Sequence, residues 1–398
     1  MGKSRYRSDT EPVELFAYVS LLFGDDRDNF VGLMLTGWAL KIWHKTKHEL
    51  VLMVAYDVPR PYQTALSQFW KLEPVAELRY DHLVTVDSKP QLKRLFMKLR
   101  AFQMIKYSKV FFLDADILIR KQLDDVFKLP APAGVLYPNH KKQRRLDGGQ
   151  IQAENLVKKG SDGLVHLESR LNAGALLLKP CLLTFAAVCK KAEDTRDPNP
   201  IPASRCPEEE LLTRYFASGC EVLYTLGIRW NLELWRRKEV TKEDIESALI
   251  FHFSCTWLKP WWSAWSRNHE KVWQEMNEWA AQKAKDDPYD FLPRATAEWA
   301  FAFAKCHQWV SVKKNSSILA IASEAREDIG GPKKKTRRAC TYENHSPDDV
   351  YWEYDGRDKH TGVSYCGQCW KSWRSVCWCT PCTPCTTVSA SGQHRPLP

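Results

Sequence analysis

The chain has 398 residues, enough for one large α/β domain with a sizeable core and a smaller appendage. Hydrophobic residues at 44% and charged residues at 27% describe a soluble globular protein, and no apolar run approaches the length of a membrane span. The net charge of +10 favours anionic partners, but five cations fall in the six residues from Lys333 to Arg338, so the excess reads as a solvated linker rather than a nucleic-acid surface.

Met1 to Pro12 is polar and has no signal-peptide core, and Tyr6 stands where a myristoylation signal wants Ser or Thr. A cytoplasmic protein with no membrane partner is expected. Leu15 to Phe23 reads as a first buried strand, ended by Gly24-Asp25-Asp26. Phe30, Leu33, Met34, Gly37 and Trp38 then recur at helical spacing. Leu50 to Val54 is a second strand closed by Tyr56-Asp57-Val58-Pro59, a helical stretch runs to Trp70, and Leu83 to Val86 is expected as a third strand. This rhythm predicts right-handed crossovers and a mainly parallel sheet flanked by helices. Lys89-Pro90 opens another helix whose core stripe is Leu92, Leu95, Phe96, Leu99 and Phe102, with Lys98 off its centre.

Val110-Phe111-Phe112-Leu113 reads as a strand buried on both faces, and Asp114-Ala115-Asp116 follows where it should end. Asp-x-Asp is often only a solvated turn. Here the carboxylates come directly after four buried residues, so they need a partner, and residues i and i+2 can face one divalent cation. In parallel sheets ligands sit beyond the carboxyl ends of the strands, where Ser20, Asp57 and Asp114 all fall.

Gly134 to Tyr137 is a short strand, and the polar residues 139 to 170 read as an excursion or lid. Asn172-Ala173-Gly174 is expected as a small-residue turn before the strand Ala175 to Leu178. Pro207 opens a helix whose first-turn Glu208, Glu209 and Glu210 can be explained by the helix dipole alone. Ala248 to Phe253 is a buried strand bearing His252, and in such a place a lone histidine is usually a hydrogen-bonded core residue. Residues 263 to 285 read as a Trp-rich amphipathic helix.

Together these pieces resemble the glycogenin-like and galactinol-synthase-like retaining glycosyltransferases of family 8. The resemblance covers about residues 15 to 265 and rests on Ala17-Tyr18-Val19-Ser20, Met97-Lys98-Leu99, Tyr107 to Asp116, Asn172-Ala173-Gly174 with Lys179-Pro180, and His252 with Lys259-Pro260-Trp261. It implies a glycosyltransferase-A (Rossmann-like) fold, a UDP-sugar donor and Mn²⁺ held by Asp114, Asp116 and His252. Val19, Ser20 and Leu21 would contact the uridine, and Asn172, Ala173 and Gly174 would line the donor sugar beside Ala115. Lys98 would hold a phosphate or sugar oxygen, and Lys259 would neutralise charge on the departing UDP. Glu208 or Glu209 occupies the place of the family's catalytic carboxylate or amide, with the choice open. The implied activity is transfer of glucose or galactose to an acceptor that is a polyol, a glycan or a protein, by an enzyme that can form an oligomer. The alternative is a degenerate transferase fold acting as an adaptor.

The chain departs from the family in two places. No Tyr lies between Asn231 and His252, which argues against self-glucosylation there, and Trp257-Leu258 replaces the family's Gly before Lys259. The expected organisation is a catalytic domain over residues 13–290, a helical extension and basic linker over 291–339, and a Cys-rich tail over 340–398. Six cysteines are scattered singles, as in a reducing compartment, and seven crowd between Cys340 and Cys385. Cys366-Gly-Gln-Cys369, with Cys340 and Cys377 as partners, is a candidate structural Zn²⁺ set.

Overall fold

The computed structural model describes residues 14–254 except 87, 89, 138–145, 162–164, 195, 197–200 and 235–239, together with residues 292–312, 356–357 and 364–365. Three apolar runs form the centre of a mixed sheet: β1 (Phe16–Leu22), β2 (Glu49–Val54) and β4 (Lys109–Leu113), with β3 (Lys71–Pro74) at the edge. β1 pairs in parallel with β2 and β4, and β2 in parallel with β3. Beyond β4 the long strand β9 (Arg170–Leu178) runs antiparallel to both β4 and β6 (Ala133–Tyr137), and β10 (Tyr224–Thr225) closes that side. The chain leaves β1 toward β2 and β3 and returns on its other side as β4. A crevice therefore opens at the carboxyl ends of β1 and β4.

Two expectations are corrected. The third strand is Lys71–Pro74, whereas Asp81–Leu83 is a 3₁₀ turn and Val84 makes only one bridge, to Ser204. An edge strand tolerates exposed Lys71 and Glu73 and a terminal Pro74, while Val86 is fully exposed and has no face to bury. Asn172-Ala173-Gly174 is not a turn but the interior of β9, where the Gly174 carbonyl accepts from the Asp114 amide at 2.9 Å.

The excursion after β6 contains a short antiparallel hairpin, β7 (Val157–Lys159) with β8 (Val165–Leu167). The 3₁₀ helix Pro90–Gln103 and helix α4 (Pro207–Ala217) pack against one another, and α4 also covers β9. That packing brings Lys98 and Glu208 face to face. A second, three-stranded sheet joins β11 (Leu232–Glu233), β12 (Ile250–His252) and β5 (Ile117–Ile119), with β12 antiparallel to β5. Helix α6 (Leu292–Val312) is tied to β5 by Arg120, whose Nε lies 2.6 Å from Glu298 Oε2. No helix among the described residues is long and apolar enough to cross a membrane.

Residues 1–329 and 330–398 form two separate compact units. In the second, the described residues are one antiparallel pair, Gly356–Arg357 with Ser364–Tyr365. The basic run 333–338 and the Trp-rich stretch 263–285 lie outside the described residues.

Helix α1 (Arg27–Trp38) is capped by Asp26, whose Oδ1 accepts from the Asp28 and Asn29 amides at 2.9 and 3.0 Å. Its Gly32 lies against the Asp114–Asp116 loop so closely that a Cβ would come within 1.9 Å of the Ala115 carbonyl oxygen. Gly32→Ala must therefore push the helix and the loop apart. Denaturant unfolding is expected to show at least the ~1–3 kcal/mol loss typical of overpacking.

Candidate active site

Asp114 leaves the end of β4 and Asp116 begins the run into β5, so the main chain is held on both sides of the pair. The Asp116 carbonyl accepts from the Phe253 amide at 2.8 Å, opposite the bond from the Asp114 amide to Gly174. The pairing of β12 with β5, in register at His252↔Ile117, then brings the imidazole to the two carboxylates. One ligand atom from each of Asp114, Asp116 and His252 lies within 4.8 Å of the others. His252 Nε2 is 3.2 Å from Asp116 Oδ1, and its Nδ1 is buried without a hydrogen-bond partner. His252 is thus a buried histidine bonded to Asp116 through one ring nitrogen, as its strand position suggests, but with its other ring nitrogen left without a partner. It also sets the requirement for glycine at 174, where a Cβ would come within 2.3 Å of the ring's Cε1.

Lys98 is buried between two carboxylates, with Nζ 2.8 Å from Asp114 Oδ1 and 3.0 Å from Glu208 Oε1. Burial alone would discharge this lysine, but Asp114 and Glu208 overcome it and raise its pKa. Asp114 is pushed toward its neutral form. Burial raises its carboxyl above the ordinary carboxylate range, and the charge of Asp116 adds to this against the pull of Lys98. At His252 burial opposes protonation, and the Asp116 charge reverses that to raise its pKa. The cluster is therefore short of positive charge, which a divalent cation shared by the three groups would supply. Oxygen and imidazole donors fit a hard or borderline ion.

The three glutamates of α4's first turn have separate partners. Glu210 Oε1 accepts from Arg214 Nε at 2.7 Å within the helix, so only this one is a purely helical feature. Glu208 reaches Lys98 and leaves Oε2 buried without a partner. Glu209 has both oxygens engaged: Oε1 accepts from the Ala173 amide at 3.0 Å, and Oε2 is 3.0 Å from Arg170 Nε. Burial, then the charge of Glu208, lifts the Glu209 carboxyl to about 7. Because this lies above its ordinary 4.5, the folded protein holds a proton that the unfolded chain releases between those values, and stability falls as pH rises through that window. The unfolding free energy of wild type minus that of Glu209→Gln is expected to decline from pH 4.5 to about 7 and then level off.

Asn172 is held by a buried network. The Gly174 amide donates to its Oδ1 at 2.8 Å, Asn231 Nδ2 donates to the same oxygen at 2.6 Å, and its own Nδ2 donates to Glu233 Oε1 at 2.9 Å. Val19 and Ser20 are fully buried on β1, and the Ser20 hydroxyl donates to the Leu113 carbonyl at 2.8 Å, which commits that side chain to joining β1 and β4. Pairing with β4 stops at Val19↔Phe112 while pairing with β2 continues to Leu22, so Leu21 borders the crevice through its backbone. Ala115 is buried beneath Gly32. Asp57, the other carboxylate at a strand end, is paired with Arg94 at 2.6 Å and accepts from the Gly24 amide. Lys259, Cys340, Cys366, Cys369 and Cys377 lie outside the described residues.

Sequence reasoning gave no role to Glu233, Asn231 or Arg170. The one available signal was Asn-Leu-Glu-Leu at 231–234, where polar and apolar residues alternate as on a strand with one face turned to polar partners.

The family model described as glycosyl transferase family 8 matches residues 61–264, just over half of the chain. The chain is 25% identical over 248 residues to an uncharacterised protein of Acanthamoeba polyphaga mimivirus, covering 62% of this chain and 82% of that one. It is 25% identical over 279 residues to inositol phosphorylceramide glucuronosyltransferase 1 of Arabidopsis thaliana, covering 65% of this chain but only 45% of that protein. To galactinol synthase 2 of Solanum lycopersicum it is 27% identical over 263 residues, covering 62% of this chain and 72% of the other. With the family's span running from the helix after β2 through the acidic pair and past the histidine strand, the chain belongs to glycosyl transferase family 8 and is a glycosyltransferase.

Proposed function

We propose that this glycosyltransferase moves a hexose from a UDP-sugar, with retention of configuration, to a polyol, glycan or protein acceptor, using Mn²⁺ held by Asp114, Asp116 and His252. The observation that carries the reading is the convergence of those three side chains, remote in sequence, within 4.8 Å at the carboxyl end of β4. The ion would supply Lewis-acid stabilisation of the negative charge that builds on the departing diphosphate.

The remaining roles follow from which groups are already occupied. Lys98 keeps its charge and fixes the Asp114 carboxylate, leaving a cation at the floor of the crevice for a donor oxygen. Glu208 has one carboxylate oxygen without a partner and is the choice for accepting a hydroxyl from the donor sugar or acceptor. Glu209, bound through both oxygens, orients the backbone at Ala173 rather than attacking the sugar. No free carboxylate nucleophile is then needed, which suits a front-face route in which leaving group and acceptor work from one side. Uracil would meet the backbone of Leu21, and Lys259 would add a second cation to the departing UDP. Cys181, Cys189, Cys206, Cys220 and Cys306 are free thiols, in keeping with a cytoplasmic enzyme.

Release of UDP from UDP-glucose and UDP-galactose, with Mn²⁺ and then with excess chelator, tests this reading. Metal-dependent release from at least one donor is expected. No turnover of any UDP-sugar would favour a transferase fold retained as an adaptor.

A further inference from the structure

Glu233 belongs to no motif noted in the sequence, yet it touches the network that seats the histidine. It is a buried carboxylate on β11, in register beside His252 on β12. The hydrogen bonds around Asn172 allow only one arrangement. A backbone amide can only donate, so the 2.8 Å contact from the Gly174 amide identifies the facing Asn172 atom as its carbonyl oxygen. The Asn172 amide nitrogen must then face Glu233 Oε1, which accepts at 2.9 Å, and Asn231 must present its own amide nitrogen to the shared oxygen. Asn172 therefore has its oxygen doubly used and one of its two N–H groups spent on Glu233.

This anchored amide holds the backbone at Gly174, and Gly174 is the surface on which the His252 ring rests, with no space for even a methyl group between them. A shift of the β9 backbone here moves the imidazole relative to Asp114 and Asp116. We infer that Glu233 is a positioning residue: by accepting from Asn172 it fixes the Asn172–Gly174 segment of β9 and thereby holds His252 in the metal-binding arrangement. Toward Asn172 it acts as a hydrogen-bond acceptor, so an uncharged acceptor of the same length is expected to keep that contact. Outer partners of metal ligands commonly govern affinity in this way. The inference rests on the proposed metal site and extends it one layer outward.

The test uses the full chain and Mn²⁺ alone, followed by loss of the free-ion paramagnetic resonance signal, with thermal unfolding in chelator as a control. Glu233→Met keeps the volume and loses the acceptor, and its Mn²⁺ affinity is expected to fall ~10- to 100-fold while Glu233→Gln stays within about threefold of wild type. The same split should appear in KM for Mn²⁺ during UDP-sugar hydrolysis. Wild-type affinity in Glu233→Met overturns the inference, as does an equal loss in Glu233→Gln, which would assign the effect to charge. If Glu233→Met does not fold, Asn231→Leu removes the other side-chain bond to Asn172 and carries the same expectation. Failure of wild type to bind Mn²⁺ would instead overturn the metal reading itself.

Discussion

Asp116→Ala is expected to abolish metal-dependent donor cleavage while leaving the fold in place. The side chain lies beside His252 at the cluster, whereas the backbone bond from Phe253 to the residue 116 carbonyl is kept. Removing one of three protein ligands deprives the transition state of charge stabilisation worth several kcal/mol. UDP release at fixed Mn²⁺ should fall at least ~1,000-fold, the equivalent of ~4 kcal/mol in activation free energy. The melting temperature in chelator should change little, because the lost contact with His252 is offset by relief of the repulsion between Asp116 and half-buried Asp114. An active Asp116→Ala enzyme would mean that the acidic pair is structural.

Lys98→Met should have its largest effect on stability. The lysine is the cation between Asp114 and Glu208, and Met fills similar volume without charge. Two carboxylates would then face one another across a buried space, and breaking a buried ion pair from one side costs ~3–5 kcal/mol. Denaturant unfolding in chelator is the measurement. Two controls make the cause specific. Mn²⁺ should restore part of the loss, since an ion that binds only the folded state stabilises it by mass action. Lys98→Met with Glu208→Gln should recover more than Lys98→Met alone, because one of the two opposed charges is gone.

Much of this architecture was legible in the sequence because long apolar runs announce buried strands. Val110 to Leu113 reads as an interior strand, and carboxylates placed directly after four buried residues call for a partner. What failed was local. Lys71–Pro74 is polar and carries a proline, so nothing in its pattern distinguishes an edge strand from a loop, whereas the apolar Leu83 to Val86 imitates one. Asn172-Ala173-Gly174 looks like a turn by residue type. It is strand because Gly174 must pass His252 closely, a constraint that comes from β12, about eighty residues away in the chain. The Asn231–Asn172–Glu233 network was hidden for a related reason. β11 spans only Leu232–Glu233, too short for periodicity to declare, and its meaning depends on lying next to β12. The different surroundings of Glu208 and Glu209 were likewise hidden, because the contacts of Glu209 with Ala173 and Arg170 join segments far apart in the chain.

The proposed transfer depends on one ion held by Asp114, Asp116 and His252. Crystals of the full chain soaked with Mn²⁺ and UDP, measured for anomalous scattering at the manganese edge, address it directly. The prediction is a single strong peak within bonding distance of Asp114, Asp116 and His252, with the UDP phosphates on its open side. A peak that leaves His252 uncoordinated, or UDP bound in the crevice with no manganese beside it, would contradict the account.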